Sequence, residues 1–248
     1  MALIHSFEKS GNFLFKYRSY FPLLLFVLAV PVIYFTATPI IDPQLQLVVI
    51  AFAILVSFSG FVVRAITIGT TPAGTSGRNT KEGQVAEELN TRGIYSTIRH
   101  PLYLGNYLMW IGIVIFTFNI WFVMVISLAY WLYYERIMFA EERFLEKKFG
   151  QQYMDWSLTA PAFIPSFKNY KSSKMIFSIK SVLRREYSGV LATVFAFAFI
   201  DNLRFYFQSQ QFELYRTSNI VLAITLIVVL ILRTLKHQSK ILNEKGRS

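Results

Sequence analysis

The chain has 248 residues, 54% hydrophobic and 17% aromatic against 16% charged, with a formal charge of +11. That balance, with a positive mean hydropathy, excludes an ordinary soluble domain and points to several membrane spans; the positive charge then argues for a cytoplasmic face beside anionic lipid rather than for nucleic acid. The absence of cysteine rules out disulfides, thiolate ligands, thiol nucleophiles and lipidated cysteines, and His5, His100 and His237 stand too far apart for a His-rich metal site.

Residues 1–19 mix Phe7, Phe13, Leu14, Phe15 and Tyr17 with Lys9, Lys16 and Arg18, the composition of a segment lying in the interface. An apolar stretch from Phe21 to about Thr38 contains Pro22 and Pro31, which suits a kinked, retained first span. Ile41-Asp42-Pro43 makes a turn, and Leu45 to Ile68 is long enough to cross ~30 Å of hydrocarbon. Near the end of that span, Arg64 either snorkels to the headgroups or faces a polar cavity. Residues 69–90 lack apolar periodicity and read as an exposed loop suited to a lid.

Two further apolar segments, Tyr107 to Phe118 and Ile120 to Phe139, are separated by little more than Asn119. So short a connection makes an antiparallel hairpin and returns its two ends to one membrane face. After Gly150, aromatic residues including Tyr153, Trp156 and Phe163 are punctuated by Pro161 and Pro165. A run from Lys168 through Arg185 follows, expected to lie on anionic lipid. Val190 to Phe207 and Ile220 to Leu232 complete about six spans. Lys and Arg number 3 before residue 20, 4 in 70–99, 9 in 141–187 and 5 from 233 onward, so 21 fall on one face against 2, Arg204 and Arg216, on the other. That asymmetry puts both termini and both ends of the hairpin in the cytoplasm. The fold expected is all-α: a polytopic membrane protein of about six transmembrane helices with cytoplasmic interfacial helices.

Chemically capable residues bracket the hairpin. Pro101 suits a first helical position, which makes His100 the cap and turns the backbone N–H groups of that helix end toward the cytoplasmic mouth, where a neutral imidazole is favoured. Tyr103 and Tyr107 share a helix face, and Gly105 lets another group approach the backbone. Glu141 and Glu142 sit where a long apolar helix leaves the bilayer; they point about 100° apart, so one binds and the other supports. Glu135 shares the face of Glu142 one turn pair deeper, and a carboxylate at that depth wants a partner, with Arg136 and Arg64 as candidates.

Arg99-His100-Pro101-x-Tyr103-x-Gly105, preceded by Gly93-x-Tyr95 and followed by Glu141-Glu142-x-x-Leu145-x-x-x-Phe149-Gly150-x-x-Tyr153, resembles the signature of the isoprenylcysteine carboxyl methyltransferase and phospholipid methyltransferase superfamily. The resemblance covers about residues 60 to 167. It implies a helical membrane enzyme that binds S-adenosyl-L-methionine at its cytosolic face and methylates a lipid or lipid-anchored acceptor entering from the bilayer, with no metal. It places His100, Tyr103 and Gly105 in the cofactor cradle, Glu141 or Glu142 at the cofactor's amino group and Tyr153 across the pocket. Arg99 and Arg136 would lie near the acceptor as the catalytic pair, and Arg64, Tyr107 and Glu135 are the substrate-binding candidates. Arg136 departs from the pattern by standing five rather than four residues before Glu141, a rotation of about 100° on a helix. The division expected is an interfacial segment at 1–19, a methyltransferase core at 20–167, and a basic segment with two more spans at 168–248. Those last spans would serve as a substrate entrance or a homodimer face. The alternative is an NADPH-dependent membrane reductase of the sterol-reductase type.

Overall fold

The computed structural model describes residues 2–18, 20–36, 42–75, 78–80 and 83–247. Residues 37–41, with the end of the expected first span and Ile41 of the expected turn, lie outside the described residues. Eight helices make up most of the described chain: α1 Leu3–Tyr17, α2 Phe21–Thr36, α3 Pro43–Thr70, α4 Pro101–Ile115, α5 Ile120–Phe149, α6 Gln151–Ser157, α7 Ile179–Ser209 and α8 Thr217–Gln238. A small antiparallel ribbon, β1 Arg78–Thr80 with β2 Gly83–Val85, lies within the loop after α3. Four helices, α3, α5, α7 and α8, are long and apolar enough to cross a membrane, and apolar stretches of α2 and α4 are shorter. Large apolar side chains such as Leu47, Phe52, Trp121, Leu132 and Ile227 stand exposed on these helices. Surfaces of that kind need hydrocarbon as solvent, and the protein is an integral membrane protein.

Helix ends follow from local chemistry. Pro43 opens α3 behind Asp42, whose carboxylate accepts from the Leu45 N–H at 3.2 Å; Asn119 accepts from Phe122 N–H at 2.9 Å to start α5, and Ser178 from Ser181 N–H at 3.1 Å to start α7. The tightest seam joins α3 to α4. A Cβ on Gly60 would fall 2.5 Å from the Gly105 carbonyl, and one on Gly112 would fall 2.5 Å from the Ala53 carbonyl, so only glycine lets these two helices touch backbone to backbone. The Ser57 hydroxyl donates across the seam to the Met109 carbonyl at 3.0 Å. In the hairpin, Tyr103 meets Tyr134 and Tyr107 meets Tyr130, with ring centroids 4.9 and 5.1 Å apart, the register of antiparallel neighbours.

Two segments differ from their expected form. α1 does not merely lie in the interface. It packs lengthwise on the second half of α5, where Gly11 meets the Arg136 carbonyl and Glu8 pairs with Lys147 at 2.5 Å. The basic residues Lys180, Arg184 and Arg185 belong to the first turns of α7, which begins well before Val190 because Ser178 caps it. The non-helical strap 158–178 is laced to the segment before α4, with N–H donors of Arg99, Ser166 and Gly93 bonded to the carbonyls of Pro161, Thr97 and Lys171 at 2.8, 2.9 and 2.8 Å. The end of the chain returns to the same side: Ala73 N–H donates to the Gly246 carbonyl at 2.9 Å, and Arg247 reaches the carbonyls of Gly69 and Ile176.

Candidate active site

α5 has 30 residues, about 45 Å at ~1.5 Å per residue, which exceeds the ~30 Å of hydrocarbon and carries its last turns beyond it. Glu141 and Glu142 stand on that projecting part. α4 begins beside them at Pro101, with His100 as its cap residue. The His100 side chain makes no capping bond. Its ring instead lies between the carboxylates, Nε2 2.9 Å from Glu142 Oε1 and Nδ1 3.7 Å from Glu141 Oε2.

The carboxylates take different partners. Glu142 accepts from Arg99 twice, Nε to Oε1 at 2.9 Å and Nη2 to Oε2 at 3.2 Å. Arg99 Nη1 meanwhile donates to the carbonyls of Ser157 and Ala160 at 2.8 and 2.7 Å, tying α5 to the end of α6. Glu141 accepts from the Tyr103 hydroxyl at 2.7 Å, and the Tyr103 ring stacks on His100. Glu141 borders a cleft of about 50 Å³ that is also walled by His100, Tyr95, Phe144, Leu145, Trp156 and the loop residues Leu89 and Asn90; Glu142 does not line it.

Gly150, at φ +54°, ψ −126°, adopts a conformation open to glycine alone, and it folds α6 back so that Tyr153 and Trp156 pack under the cleft. Trp156 Nε1 donates to the Tyr95 carbonyl at 2.9 Å. Tyr153 is buried with its hydroxyl unpartnered. Burial, then the charge of Glu142, pushes that phenol far above its ordinary pKa, and burial followed by the charge of Glu141 does the same for Tyr95. Both remain protonated donors across any working pH.

The structure thus brings together Arg99, His100, Tyr103, Glu141, Glu142 and Tyr153. It places the other expected residues elsewhere. Arg136 does not join Arg99: its guanidinium lies over the Phe7 ring of α1, 3.4 Å from the centroid, the turned-away direction its shifted spacing implied. Glu135 is exposed on α5 and pairs with neither Arg136 nor Arg64. Gly105 faces α3, where an added Cβ would meet Arg64 Cγ at 2.5 Å. Tyr107 donates to Ser127 at 3.0 Å deeper in the hairpin. Arg64 neither snorkels nor points into the cleft; Glu186 of α7 holds its Nε and Nη2 at 2.7 and 2.6 Å, and Asn106 accepts from Nη1 at 2.5 Å. Glu186, Tyr95, Phe144 and Trp156 are the residues that sequence reasoning left without a role. Glu186 stands inside a basic run, where its charge reads as one more surface group, and its 2% exposure is visible only in three dimensions.

Residues 45–152 match the phospholipid methyltransferase family, a segment that contains the α3–α4 seam, the hairpin and both carboxylates. Similar proteins include a protein-S-isoprenylcysteine O-methyltransferase of Tribolium castaneum, 35% identical over 83 residues (34% of this chain, 30% of that protein). Another is the nickel-cobalt-cadmium resistance protein NccN of Alcaligenes xylosoxydans xylosoxydans, 32% identical over 90 residues (36% and 42%). Protein-S-isoprenylcysteine O-methyltransferase B of Arabidopsis thaliana is 32% identical over 80 residues (32% and 40%). The chain spans less than half the length of each of these relatives. No solved structure matches it. Among the described residues no group of His, Asp and Glu could hold a metal ion. α7 and α8 lie outside the segment that matches the phospholipid methyltransferase family.

Proposed function

We propose that the protein is an S-adenosyl-L-methionine-dependent methyltransferase whose cytoplasmic cleft serves a lipid or lipid-anchored acceptor. The observation that carries this reading is the division of labour between the carboxylates: Glu142 locks the start of α4 to the exit of α5, and Glu141 is left at the cleft.

The residues fit the cofactor's chemistry. A carboxylate at Glu141 suits the ammonium of a methionine moiety. Aromatic walls at Tyr95, Phe144 and Trp156 suit an adenine ring and a sulfonium charge. Tyr153 offers a buried hydroxyl donor beside Glu142. The bound cofactor supplies an activated methyl group, so the protein's part is positioning and exclusion of water, without a covalent nucleophile. Tyr103 and His100 orient Glu141, and Arg99 keeps Glu142 and the end of α6 in place beneath it. A cleft of about 50 Å³ has room for one or two waters, so admitting a nucleoside requires the loop 71–90, which bounds it through Thr75, Ala86 and Leu89, to swing outward. The loop acts as a lid.

Binding is tested by thermal shift of the detergent-solubilised protein. S-adenosylhomocysteine should raise the melting temperature and NADPH should not; the reverse result would overturn the proposal. Incubating membranes with methyl-labelled cofactor then identifies the acceptor. Label running with lipid indicates a phospholipid, and label on protein released by base as methanol indicates a carboxyl methyl ester.

A further inference from the structure

A large cavity lies away from the cleft, among the helices. It measures about 600 Å³ between α3, α4, α7 and α8. A second lobe of about 250 Å³ continues it between α3, α7 and α8, and the two share Phe61 and Val190 as walls. From Glu186 in one lobe to Asp201 in the other, α7 rises ~22 Å. Between those ends the walls are apolar, with Phe58, Met109, Val194 and Phe197 prominent. The hydroxyls there are already satisfied, Ser57 by the Met109 carbonyl and Thr193 by the Gly189 carbonyl, so nothing along the groove asks for a polar ligand. Ile54 and Phe58 on its rim are 51% and 59% exposed, which opens it sideways to the hydrocarbon.

One end of the groove is connected to the candidate site. Glu186 closes that lobe, and its carboxylate holds Arg64. Arg64 in turn bonds Asn106, one turn along α4 from Tyr103, the donor to Glu141. A long apolar slot open to the bilayer, ending at Glu186 and its half-buried partner Arg64, has the form of a tail site with a head-group end. Its volume falls within the ~300–1,000 Å³ usual for ligand sites. Two of its walls, α7 and α8, lie outside the family match, and the groove gives them a task.

We infer that this groove holds the apolar tail of the methyl acceptor, a long acyl or prenyl chain, with the acceptor's polar end at Arg64 and Asn106. The inference rests on the methyltransferase reading.

The full chain in nanodiscs, with phosphatidylethanolamine carrying a diazirine on a C16 acyl chain and, separately, a diazirine-bearing S-prenylcysteine, provides the test. Photolysis should label peptides of α3 around Phe61 and of α7 around Val194. Val194→Trp, which fills the groove, and Ile54→Trp, which closes its rim, should each cut that labelling at least tenfold while leaving the S-adenosylhomocysteine thermal shift unchanged. Leu128→Trp on the lipid-facing side of α5 should change neither. Turnover of the long-tailed probe should fall with the labelling, and turnover of a butyl analogue with the same head should not. Labelling that persists in both groove variants overturns the proposal, as does turnover indifferent to tail length. A chain that is labelled in the groove but gains no stability from S-adenosylhomocysteine would show a lipid slot and end the acceptor assignment together with the methyltransferase reading.

Discussion

Glu142 is held by two bonds from Arg99 and one contact from His100, whereas Glu141 has the Tyr103 hydroxyl and an open side toward the cleft. Substitution should therefore separate them. Glu142→Ala leaves the Arg99 guanidinium, 15% exposed, without its carboxylate, and should destabilise the fold by about 2–3 kcal/mol, below the usual cost of breaking a fully buried pair because the site is partly solvated. Glu141→Gln keeps the shape and the Tyr103 contact but removes a charge. It should leave the melting temperature of the free protein within a degree or two while weakening S-adenosylhomocysteine binding ten- to a hundredfold, as expected for losing one charge-assisted hydrogen bond worth roughly 1.5–3 kcal/mol. Melting curves with and without S-adenosylhomocysteine read both effects in one experiment. At this scale the sequence carries the cluster but not its wiring: adjacent carboxylates on a helix must diverge, and which one meets the cleft depends on where Arg99 arrives from α4. Arg136 was legible in part, since its one-residue offset already departed from the pattern, but the Phe7 ring of α1 that it meets was not.

Between elements, the informative contact is the Arg64–Glu186 pair, which pins α7 to the matched core at the α3–α4 seam. Removing one partner strands a charge among apolar helices, so Arg64→Ala and Glu186→Ala should each cost about 3–5 kcal/mol, while the double change Arg64→Met with Glu186→Leu should recover most of the loss. Methyl transfer should not recover with the melting temperature in the double variant if Arg64 also receives the acceptor's head. Thermal melts of the purified protein beside initial rates separate the two. Most helices were readable, because apolar runs of spanning length and the start signals Asp42, Asn119 and Pro101 are local. The strap 158–178 was not: its long-range backbone bonds go to residues 62 to 109 positions earlier, and no local periodicity announces them. Glu186 escaped for the same reason, since its partner is 122 residues away.

For the whole molecule, the proposed lid and the expected orientation are both tested at the end of the bundle that carries the candidate site. Leu89 of the loop and Leu145 of α5 pack against the same aromatic cluster. The chain has no cysteine, so Leu89→Cys with Leu145→Cys allows a short thiol crosslinker to tie the lid down. S-adenosylhomocysteine should stabilise the uncrosslinked double variant and fail to stabilise the crosslinked one; binding that survives crosslinking would show that the loop need not move. The same background serves to fix the face of the membrane. The helices alternate so that the loop after α3, the start of α4, the exit of α5, the start of α7 and residues 239–247 gather at one end, while Asn119 and the α7–α8 turn lie at the other. The first end carries nearly all the Lys and Arg, and the second keeps Arg204 and Arg216, with Asp201 gripping Arg216 through two bonds of 2.9 and 2.7 Å and so offsetting even that charge. A charge difference this one-sided is expected to retain the basic end in the cytoplasm, because each Lys or Arg near a span resists translocation and is drawn to anionic lipid. Gln211→Cys should therefore react with a membrane-impermeant maleimide in intact cells or sealed right-side-out vesicles, and Lys240→Cys only after the membrane is opened. Labelling of Lys240→Cys from outside would invert the molecule, and with it place the cleft on the wrong side for a cytosolic cofactor.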